Sequence, residues 1–324
     1  MLRAIVEELG GPEALRFVEE PEPTPGPGEV AVRVRAIGCN FFDTLMLAGR
    51  YQIRPPLPFT PGGEFAGEVS AVGRGVTRFA PGDRVVAVLS YGAYASCAVV
   101  PEGAVRAIPD AMPFSQAAAL PIVYGSALLA LTDRAALRPG EILVVHAAAG
   151  GVGLAAVQLG RALGAVVLGT AGSDEKCALA RAQGADEVWN YRAVDWVEAL
   201  RVRTGGLGAD VFIDPVGGDV FDGSLSAIAF GGRLVVVGFA SGRIPTVAAN
   251  RIMLKNIAVT GLHWGAYLER APARVDTAMG QLFALWEAGT ISPLISEERP
   301  LTDAAAALRA IDARDTVGKV VLVP

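Results

Sequence analysis

Two patterns of apolar and polar residues divide the chain. Within residues 1–117, short runs alternate apolar and polar residues, as in 30–37 (VAVRVRAI), and turns rich in Pro and Gly separate the runs. Alternation with period two predicts half-exposed strands, and short strands between tight turns predict a barrel-like β domain. From about residue 114, Ala- and Leu-rich stretches of helical length alternate with apolar strands. This alternation predicts a parallel, doubly wound sheet and therefore an α/β protein.

The apolar runs of the second region predict its strands and helices individually. Strands are predicted over 141–145, 166–170, 187–189, 211–213, 233–237 and 257–260, and helices over 115–120, 126–131, 154–163, 174–183, 196–203 and 221–229. The region after residue 261 has helical stretches near 279–287 and 304–310. It ends in a strand over 319–323, which we expect to join the sheet of the first domain because a lone strand leaves its backbone groups unpaired.

A glycine-rich turn, HAAAGGVG at 146–153, follows the apolar strand 141–145 and precedes a helix. Gly150 and Gly151 lack Cβ atoms and allow a pyrophosphate to approach the backbone, and Gly153 allows the helix to pack close to the strand. Many strand-to-helix turns carry glycine for packing alone, so the motif by itself is weak. Its place in a strand–turn–helix unit favours a dinucleotide-binding turn.

The residues after the second strand indicate which dinucleotide is preferred. NAD-preferring folds place an acid about 20 residues beyond the first glycines to hold the ribose 2′-OH. Here the strand ends in 169–173 (GTAGS), and the first acid is Asp174, which fits the first turn of the next helix. Lys176, Tyr191 and Arg192 follow, so cation and hydroxyl groups are available for a 2′-phosphate. We predict NADPH as the cofactor.

Composition excludes several other function classes. The net charge of −5 provides no basic field for nucleic acid. Two histidines are too few for a His-rich metal site, and the three cysteines show no C-x-x-C spacing. The first thirteen residues contain acids where a signal peptide is apolar, and no apolar run has membrane-spanning length. We therefore expect a cytoplasmic protein that binds neither nucleic acid nor a membrane.

Several segments together resemble the zinc-independent quinone oxidoreductases related to zeta-crystallin, within the medium-chain dehydrogenase/reductase superfamily. They are 38–43 (GCNFFD), 61–67 (PGGEFAG), 81–85 (PGDRV), 117–121 (AAALP), the glycine-rich turn and 190–192 (NYR). The resemblance implies a GroES-like catalytic domain formed by residues 1–117 and 261–324. It also implies a Rossmann NADPH-binding domain at 118–260, with the nicotinamide held between the two.

The chain departs from the zinc-dependent members of the superfamily at two ligand positions. Asn40 stands where those enzymes have a cysteine ligand, and Gly63 stands where they have a histidine ligand. A catalytic zinc needs three protein ligands, so we predict no metal. Hydride transfer then requires an acceptor that is already activated, such as a quinone or an α,β-unsaturated carbonyl.

The resemblance also implies site residues. Asn40 is expected beside the nicotinamide and the acceptor, and Tyr51 is expected to line the pocket as a donor; these two are the candidate catalytic residues. The residues expected at the cofactor are Asn40, Ser126, Ala149, Gly150, Gly151, Val152, Gly153, Thr170, Gly172, Ser173, Lys176, Tyr191, Gly238, Phe239, Ala240, His263, Trp264 and Arg314. Asp43 and His146 are interpreted as structural. Leu45 occupies a position where related bacterial enzymes carry an aromatic residue.

The leading hypothesis is therefore an NADPH-dependent quinone oxidoreductase that transfers hydride or electrons without a metal. One alternative is a 2-enoyl thioester or enone reductase, for which Arg50, Arg54 and Arg270 would serve a charged carrier. Another is an NADPH-binding protein with a structural or RNA-binding role. The sparsely charged segment 255–261 is predicted to be an exposed edge strand, and we expect a homodimer formed there.

Overall fold

The first unit is built largely from antiparallel strands and joins both ends of the chain. The computed structural model describes all 324 residues and divides them into Met1–Ile122 with Ser292–Pro324, and Val123–Ile291. The elements up to residue 118 are β1 (Leu2–Val6), β2 (Leu15–Glu19), β3 (Glu29–Gly38), α1 (Phe41–Leu47), β4 (Glu64–Val72), β5 (Arg84–Val88), β6 (Cys97–Pro101), β7 (Val105–Ala107) and α2 (Phe114–Ala118).

The second unit alternates strands and helices. Its elements, with the helix that leads into it, are α3 (Pro121–Leu129), β8 (Ile142–Val145), α4 (Gly151–Ala162), β9 (Val166–Ala171), α5 (Asp174–Ala182), β10 (Glu187–Asn190), α6 (Trp196–Arg203), β11 (Ala209–Asp214), α7 (Gly218–Ala227), β12 (Ile228–Val236), α8 (Ala249–Lys255), β13 (Ala258–Gly261), α9 (Trp264–Arg270) and α10 (Pro272–Glu287). Pro121 starts α3, as the predicted break at that proline requires.

The last segment returns to the first unit as β14 (Ile295–Pro300), α11 (Ala304–Asp312) and β15 (Lys319–Val323). One sheet there has the order β14-β15-β3-β4-β5-β7, with β6 also paired to β3, and β1 and β2 form a separate pair. The apolar faces of these strands share one core, which includes Val32, Phe65 and Leu322. The prediction that the C-terminal strand joins the first sheet is confirmed.

All strands of the second unit are parallel and lie in the order β10-β9-β8-β11-β12-β13. The chain progresses outward from β8 in one direction to β10 and then resumes on the other side with β11. In such sheets ligands bind at the carboxyl ends of the strands where the order reverses. The turn that follows β8 lies at this point, and β13 is an edge strand, as predicted.

Three helices were not predicted from the sequence. Helix α1 is seven residues long, which is too short to display a helical period, and its apolar run was included in the β-rich region. Helices α8 and α9 are also seven residues long, and the chain before α8 carries no periodic pattern. Short helices of this kind depend on tertiary contacts more than on local sequence.

The sequence analysis placed the second domain boundary at residue 261, whereas the structure divides the chain before Ser292. The reason is that α9 and α10 belong to the second unit. The Trp264 ring packs against Gly125 of α3 so closely that a Cβ atom at Gly125 would lie 2.4 Å from it. Arg274 of α10 donates from Nε to Asp133 Oδ2 at 2.9 Å. None of the helices combines the length and apolar character needed to cross a bilayer.

Candidate functional site

The glycine-rich turn between β8 and α4 has a geometry that only glycine permits at its last position. A Cβ atom at Gly153 would lie 2.1 Å from the carbonyl oxygen of Ala147. Gly150 is the N-cap residue, and α4 runs for twelve residues from Gly151. The first N–H groups of a helix have no intrahelical acceptor, and the helix dipole favours an anion beside them. The backbone from Gly150 to Gly153 therefore forms a helix start of the kind that suits an anion. Among the other residues predicted there, Val152 is half-buried and Ala149 is buried.

His146, at the start of this turn, is a buried structural residue, as expected. Its Nδ1 lies 2.9 Å from Thr170 Oγ1 and its Nε2 lies 2.8 Å from Ser224 Oγ. Burial lowers the pKa of His146 to about 3, so the ring is neutral at physiological pH. Thr170 was expected at the cofactor, but its hydroxyl faces His146 and the residue is buried. The side chain of Thr170 therefore helps to hold His146 at the start of the turn.

The ends of β9 and β10 bring together four of the predicted cofactor residues. A Cβ atom at Gly172 would lie 2.7 Å from the hydroxyl of Tyr191, so the two residues are in contact. Ser173 caps α5 by accepting from the backbone N–H of Lys176 at 3.3 Å. Asp174 is turned toward β10, where its carboxylate accepts from Asn190 Nδ2 at 2.9 Å. No acid precedes it at the end of β9, so this cluster favours an anionic group.

The loop after β11 is fixed by Asp214, a residue that the sequence analysis missed. Its Oδ1 accepts from the backbone N–H groups of Val216 at 2.7 Å and Gly217 at 2.9 Å, while its Oδ2 is buried without a partner. Burial raises the pKa of this carboxyl group. The acid and two glycines in 214–218 (DPVGG), directly after an apolar strand, were the available signal. The bonds of the Asp214 carboxylate fix this loop, and Gly217 of the loop lies beside Phe239.

The predicted residues Gly238, Phe239 and Ala240 follow β12. Ala240 N donates to Pro215 O at 3.0 Å, and Phe239 is exposed. His263 is the exposed N-cap residue of α9, and Trp264 is buried. The indole Nε1 of Trp264 and the hydroxyl of Thr260 are buried without hydrogen-bond partners in the chain. Ser126 is buried on α3, next to Gly125, against which Trp264 packs.

Asn40, Tyr51 and Arg314 lie in the first unit, and the other predicted residues lie in the second. Arg314 sits in the turn after α11 with a φ of 61°. Asn40 precedes α1 and is buried in a polar network. Its Nδ2 donates to Gly38 O at 3.2 Å and to Glu64 Oε1 at 2.9 Å, which uses both hydrogens. Both hydrogens of the Asn40 amide are therefore bonded within the protein.

Glu64 and Lys319 form a buried ion pair at the centre of this network. Lys319 Nζ donates to Glu64 Oε1 at 2.8 Å, to Asn40 Oδ1 at 2.8 Å and to Cys39 O at 2.7 Å, which uses all three of its hydrogens. Glu64 Oε2 accepts from the backbone N–H of Ile122 at 2.8 Å. Sequence reasoning overlooked Lys319; a lysine at the start of an otherwise apolar strand was the only sign of it.

Asp43 is a structural residue, as interpreted from the sequence. Its Oδ2 accepts from the backbone N–H of Asn40 at 2.9 Å and from the hydroxyl of Tyr94 at 3.1 Å, which ties the start of α1 to the segment between β5 and β6. Burial raises the pKa of Asp43 to about 7. Burial also raises the pKa of the neighbouring Cys39 thiol to about 12, so this thiol is not a nucleophile.

Tyr51 is half-buried beside Phe42, with ring centroids 5.2 Å apart and an interplanar angle of 30°. Burial, followed by the charge of Asp43, raises the pKa of Tyr51 above its ordinary value of 10. Tyr51 is therefore a protonated phenol at neutral pH. No group of three or more His, Cys, Asp or Glu side chains is arranged to hold a metal ion.

Two family profiles match the chain. That of the zinc-binding dehydrogenases matches residues 151–282, which excludes positions 40 and 63, and that of the alcohol dehydrogenase GroES-like domain matches residues 26–110. A quinone oxidoreductase of Pseudomonas aeruginosa is 40% identical over 317 residues, covering 97% of each chain. A rat quinone oxidoreductase is 36% identical, covering 99% of this chain and 98% of the relative.

Solved structures of quinone oxidoreductases also superpose on the chain. The structure of Escherichia coli quinone oxidoreductase complexed with NADPH superposes with a TM-score of 0.92 at 36% identity, and each chain is covered completely. A quinone oxidoreductase of Pseudomonas syringae superposes with a TM-score of 0.91 at 38% identity, covering 100% of this chain and 99% of that one. The similarity extends over both units, and the chain belongs to the quinone oxidoreductase family of the medium-chain dehydrogenase/reductase superfamily.

Proposed function

We propose that the protein is an NADPH-dependent oxidoreductase that reduces a quinone or a similarly activated acceptor without a metal ion. The observation that carries the proposal is the turn at the switch point of the parallel sheet, where Gly153 brings the start of α4 against Ala147. Relatives of matching length are quinone oxidoreductases, and one of the superposed structures contains NADPH.

The residues of the second unit suit a dinucleotide phosphate. The backbone N–H groups of Gly151 to Gly153 would hold the pyrophosphate, and Ser173, Lys176 and Tyr191 would hold the 2′-phosphate. The unpartnered Nε1 of Trp264 supports a polar ligand near the carboxyl end of β13, because buried donors are normally paired. NADPH, when bound, supplies the hydride.

Tyr51 is the group best suited to assist the acceptor. As the hydride arrives, negative charge develops on the acceptor oxygen, and a protonated phenol stabilises that charge and supplies a proton. Asn40 cannot donate in this way because both of its amide hydrogens are used inside the protein. In the proposed reaction Asn40, held by Lys319 and Glu64, positions the start of α1.

The residue types at two positions support metal-free chemistry. Asn40 is bonded to Glu64 and Lys319, and Gly63 offers no ligand atom. The Lys319 ammonium group provides a fixed positive charge to Glu64 within this network. An acceptor that already carries conjugated carbonyl groups needs no Lewis acid for hydride addition, which is why we propose quinones or enones.

The test is NADPH oxidation at 340 nm in metal-free buffer containing a chelator. The acceptors are a benzoquinone, a naphthoquinone, an alkyl enone and crotonyl-CoA. Turnover with quinones that survives the chelator is expected. Turnover with crotonyl-CoA alone would indicate a thioester reductase in place of a quinone reductase. The absence of turnover with every acceptor, despite tight NADPH binding, would contradict the proposed function.

Cofactor preference is tested at Lys176. Replacing the cation removes one charge-assisted bond to a 2′-phosphate, so K176A is expected to raise the Kd for NADPH about tenfold. The Kd for NADH, which lacks this phosphate, should change by less than about twofold. Both constants are measured by nucleotide fluorescence. Equal weakening of the two cofactors would contradict the assignment of Lys176.

We also propose a cytoplasmic homodimer. All three cysteines are free and buried, which suits a reducing compartment. The edge strand β13 has the sequence AVTG and no charged residue, whereas the opposite edge strand β10 begins with Glu187, which pairs with Arg203 at 3.4 Å. An uncharged edge strand favours pairing with a second copy across a two-fold axis.

A further inference from the structure

Gly63 leaves a space that another residue of the chain fills. A Cβ atom at Gly63 would lie 2.6 Å from Cζ of Phe42, 3.1 Å from Cδ1 of Ile122 and 3.3 Å from the backbone oxygen of Leu89. No side chain fits there without displacing Phe42. Position 63 is where the resemblance places a zinc-ligating histidine in the metal-dependent enzymes. The end of the Phe42 ring therefore lies where that side chain would begin.

The helix that carries Phe42 is fixed at its start, and the Phe42 ring packs against the core. Phe42 belongs to α1, whose start is fixed by the bonds of Asp43 to Asn40 N and to the Tyr94 hydroxyl. Its ring packs beside Tyr51, and both rings are half-buried against the core of the first unit. We call Phe42 and Tyr51 the aromatic wall. Two aromatic rings held by a helix start and a packed core present a rigid apolar surface at low entropic cost.

We propose that Phe42 determines acceptor specificity, and that the aromatic wall binds the flat conjugated ring of a quinone in preference to an acyclic enone. This inference rests on the proposed function. Aromatic faces favour offset or edge-to-face contact with a second planar π-system, and an acyclic enone offers little such surface. Leu45 of α1 has no aromatic face, so an aromatic contact from this helix has to come from another of its residues. Phe42 supplies it from the space left by Gly63.

The first test replaces the ring and compares two acceptors. F42L keeps an apolar side chain but removes the π-face, and kcat/KM is measured with 1,4-naphthoquinone and with 3-penten-2-one. We expect an approximately tenfold loss for naphthoquinone, corresponding to about 1.4 kcal/mol, and less than a twofold change for the enone. F41L is the matched control. Phe41 is the preceding residue of α1, and its replacement should leave kcat/KM unchanged for both acceptors.

A second variant tests the same geometry from the other side. In G63A the added methyl group has to displace the Phe42 ring, so the same selective loss is expected. The double variant F42L/G63A should show no further selective loss, because the ring that the methyl group displaces is already absent. If G63A caused its full selective loss in the F42L background as well, the two effects would be additive and the proposal would be contradicted. The melting temperature and the NADPH Kd of each variant establish that the fold and the second unit are intact.

A binding measurement separates this inference from the proposed function. Calorimetric titration of 1,4-naphthoquinone into NADP⁺-saturated protein requires no turnover, and F42L is expected to weaken that binding about tenfold. If wild-type protein reduces no quinone, the proposed function fails whatever this titration shows. If quinones are reduced but F42L lowers naphthoquinone and enone activity equally, or leaves naphthoquinone binding unchanged, the specificity role of Phe42 is overturned.

Discussion

A single methyl group at residue 153 decides whether the glycine-rich turn can form. The added Cβ of G153A would lie 2.1 Å from Ala147 O and 2.8 Å from Ala147 C, both backbone atoms that cannot rotate away. We expect G153A to lower the free energy of unfolding by about 1–3 kcal/mol and to weaken NADPH binding at least about tenfold. Urea unfolding and a fluorescence titration measure the two effects.

G280A is the matched control for this substitution. Gly280 lies within α10, and a Cβ atom there would meet nothing within 4 Å. Alanine is a better helix former than glycine, so G280A should stabilise the protein by about 0.5–1 kcal/mol and leave NADPH binding unchanged. If G153A were as harmless as G280A, the close approach of α4 to Ala147 would not govern cofactor binding.

His146 makes the stability of the protein depend on pH. Burial holds its pKa at about 3 in the folded state, against an ordinary value of 6.5. Between these values the unfolded chain binds a proton that the folded protein does not. The stability contributed by neutral His146 is therefore complete above pH 6.5 and is lost as the pH falls toward 3, at about 1.4 kcal/mol per pH unit.

The comparison variant for this pH dependence is H146Q, which keeps a donor and an acceptor but does not titrate. Urea unfolding at pH 7, 6 and 5 should show a smaller loss of stability for H146Q than for the wild-type protein. Parallel losses in the two proteins would show that the pH dependence arises from other groups.

At the scale of elements, one ion pair joins β15 to β4. Lys319 and Glu64 are 255 positions apart in sequence and meet at 2.8 Å with both side chains buried. Removing one partner leaves a buried charge alone, so K319M is expected to cost about 3–5 kcal/mol. The double variant E64Q/K319M removes both charges and should cost much less than the sum of the two single changes.

Guanidinium unfolding of the wild type, both single variants and the double variant measures this coupling. Costs that simply add would show that the two charges do not depend on each other. A K319R variant retains the positive charge and is expected to recover part of the stability lost in K319M. The recovery should be incomplete, because a planar guanidinium does not reproduce the three bonds of an ammonium group.

At the scale of the whole molecule, β13 is the element that a second copy would use. The preceding helix α8 contributes no buried residue, and Met253 and Leu254 are 68% and 70% exposed. Apolar exposure of this size beside an uncharged edge strand supports the proposed dimer. A258K places a charge on β13, and we expect it to convert a dimer into a monomer. Light scattering after size-exclusion chromatography at micromolar protein measures the mass.

L207K is the control for the dimer. Leu207 is 79% exposed and lies in the turn before β11, at the opposite end of the parallel strands from the glycine-rich turn. The same apolar-to-lysine change there should leave the oligomeric state unchanged. A wild-type protein that is monomeric at micromolar concentration would contradict the proposed dimer directly.

Local patterns in the sequence determined most of the elements of the second unit and part of its candidate site. Helices α4 to α7 and every strand from β8 to β13 except β12 were predicted to within about three residues, because apolar periodicity reports which face of an element is buried. Strand β12 begins at Ile228, where the sequence pattern predicted the end of a helix. The glycine-rich turn and the Ser173 cap were also predictable, since each depends on neighbouring residues. The absence of an acid before Asp174 was likewise evident in the sequence.

Only the tertiary structure decided which polar atoms meet. His146 bonds to Ser224 from 78 positions away, and the amide of Asn40 is consumed by Glu64 and Lys319. Periodicity predicts burial but not hydrogen-bond partners, because a partner is chosen by the packing of distant elements. The resemblance placed Asn40 beside the ligand, but the sequence could not show that Glu64 and Lys319 bond to its amide. Packing also placed the Phe42 ring in the space that Gly63 leaves.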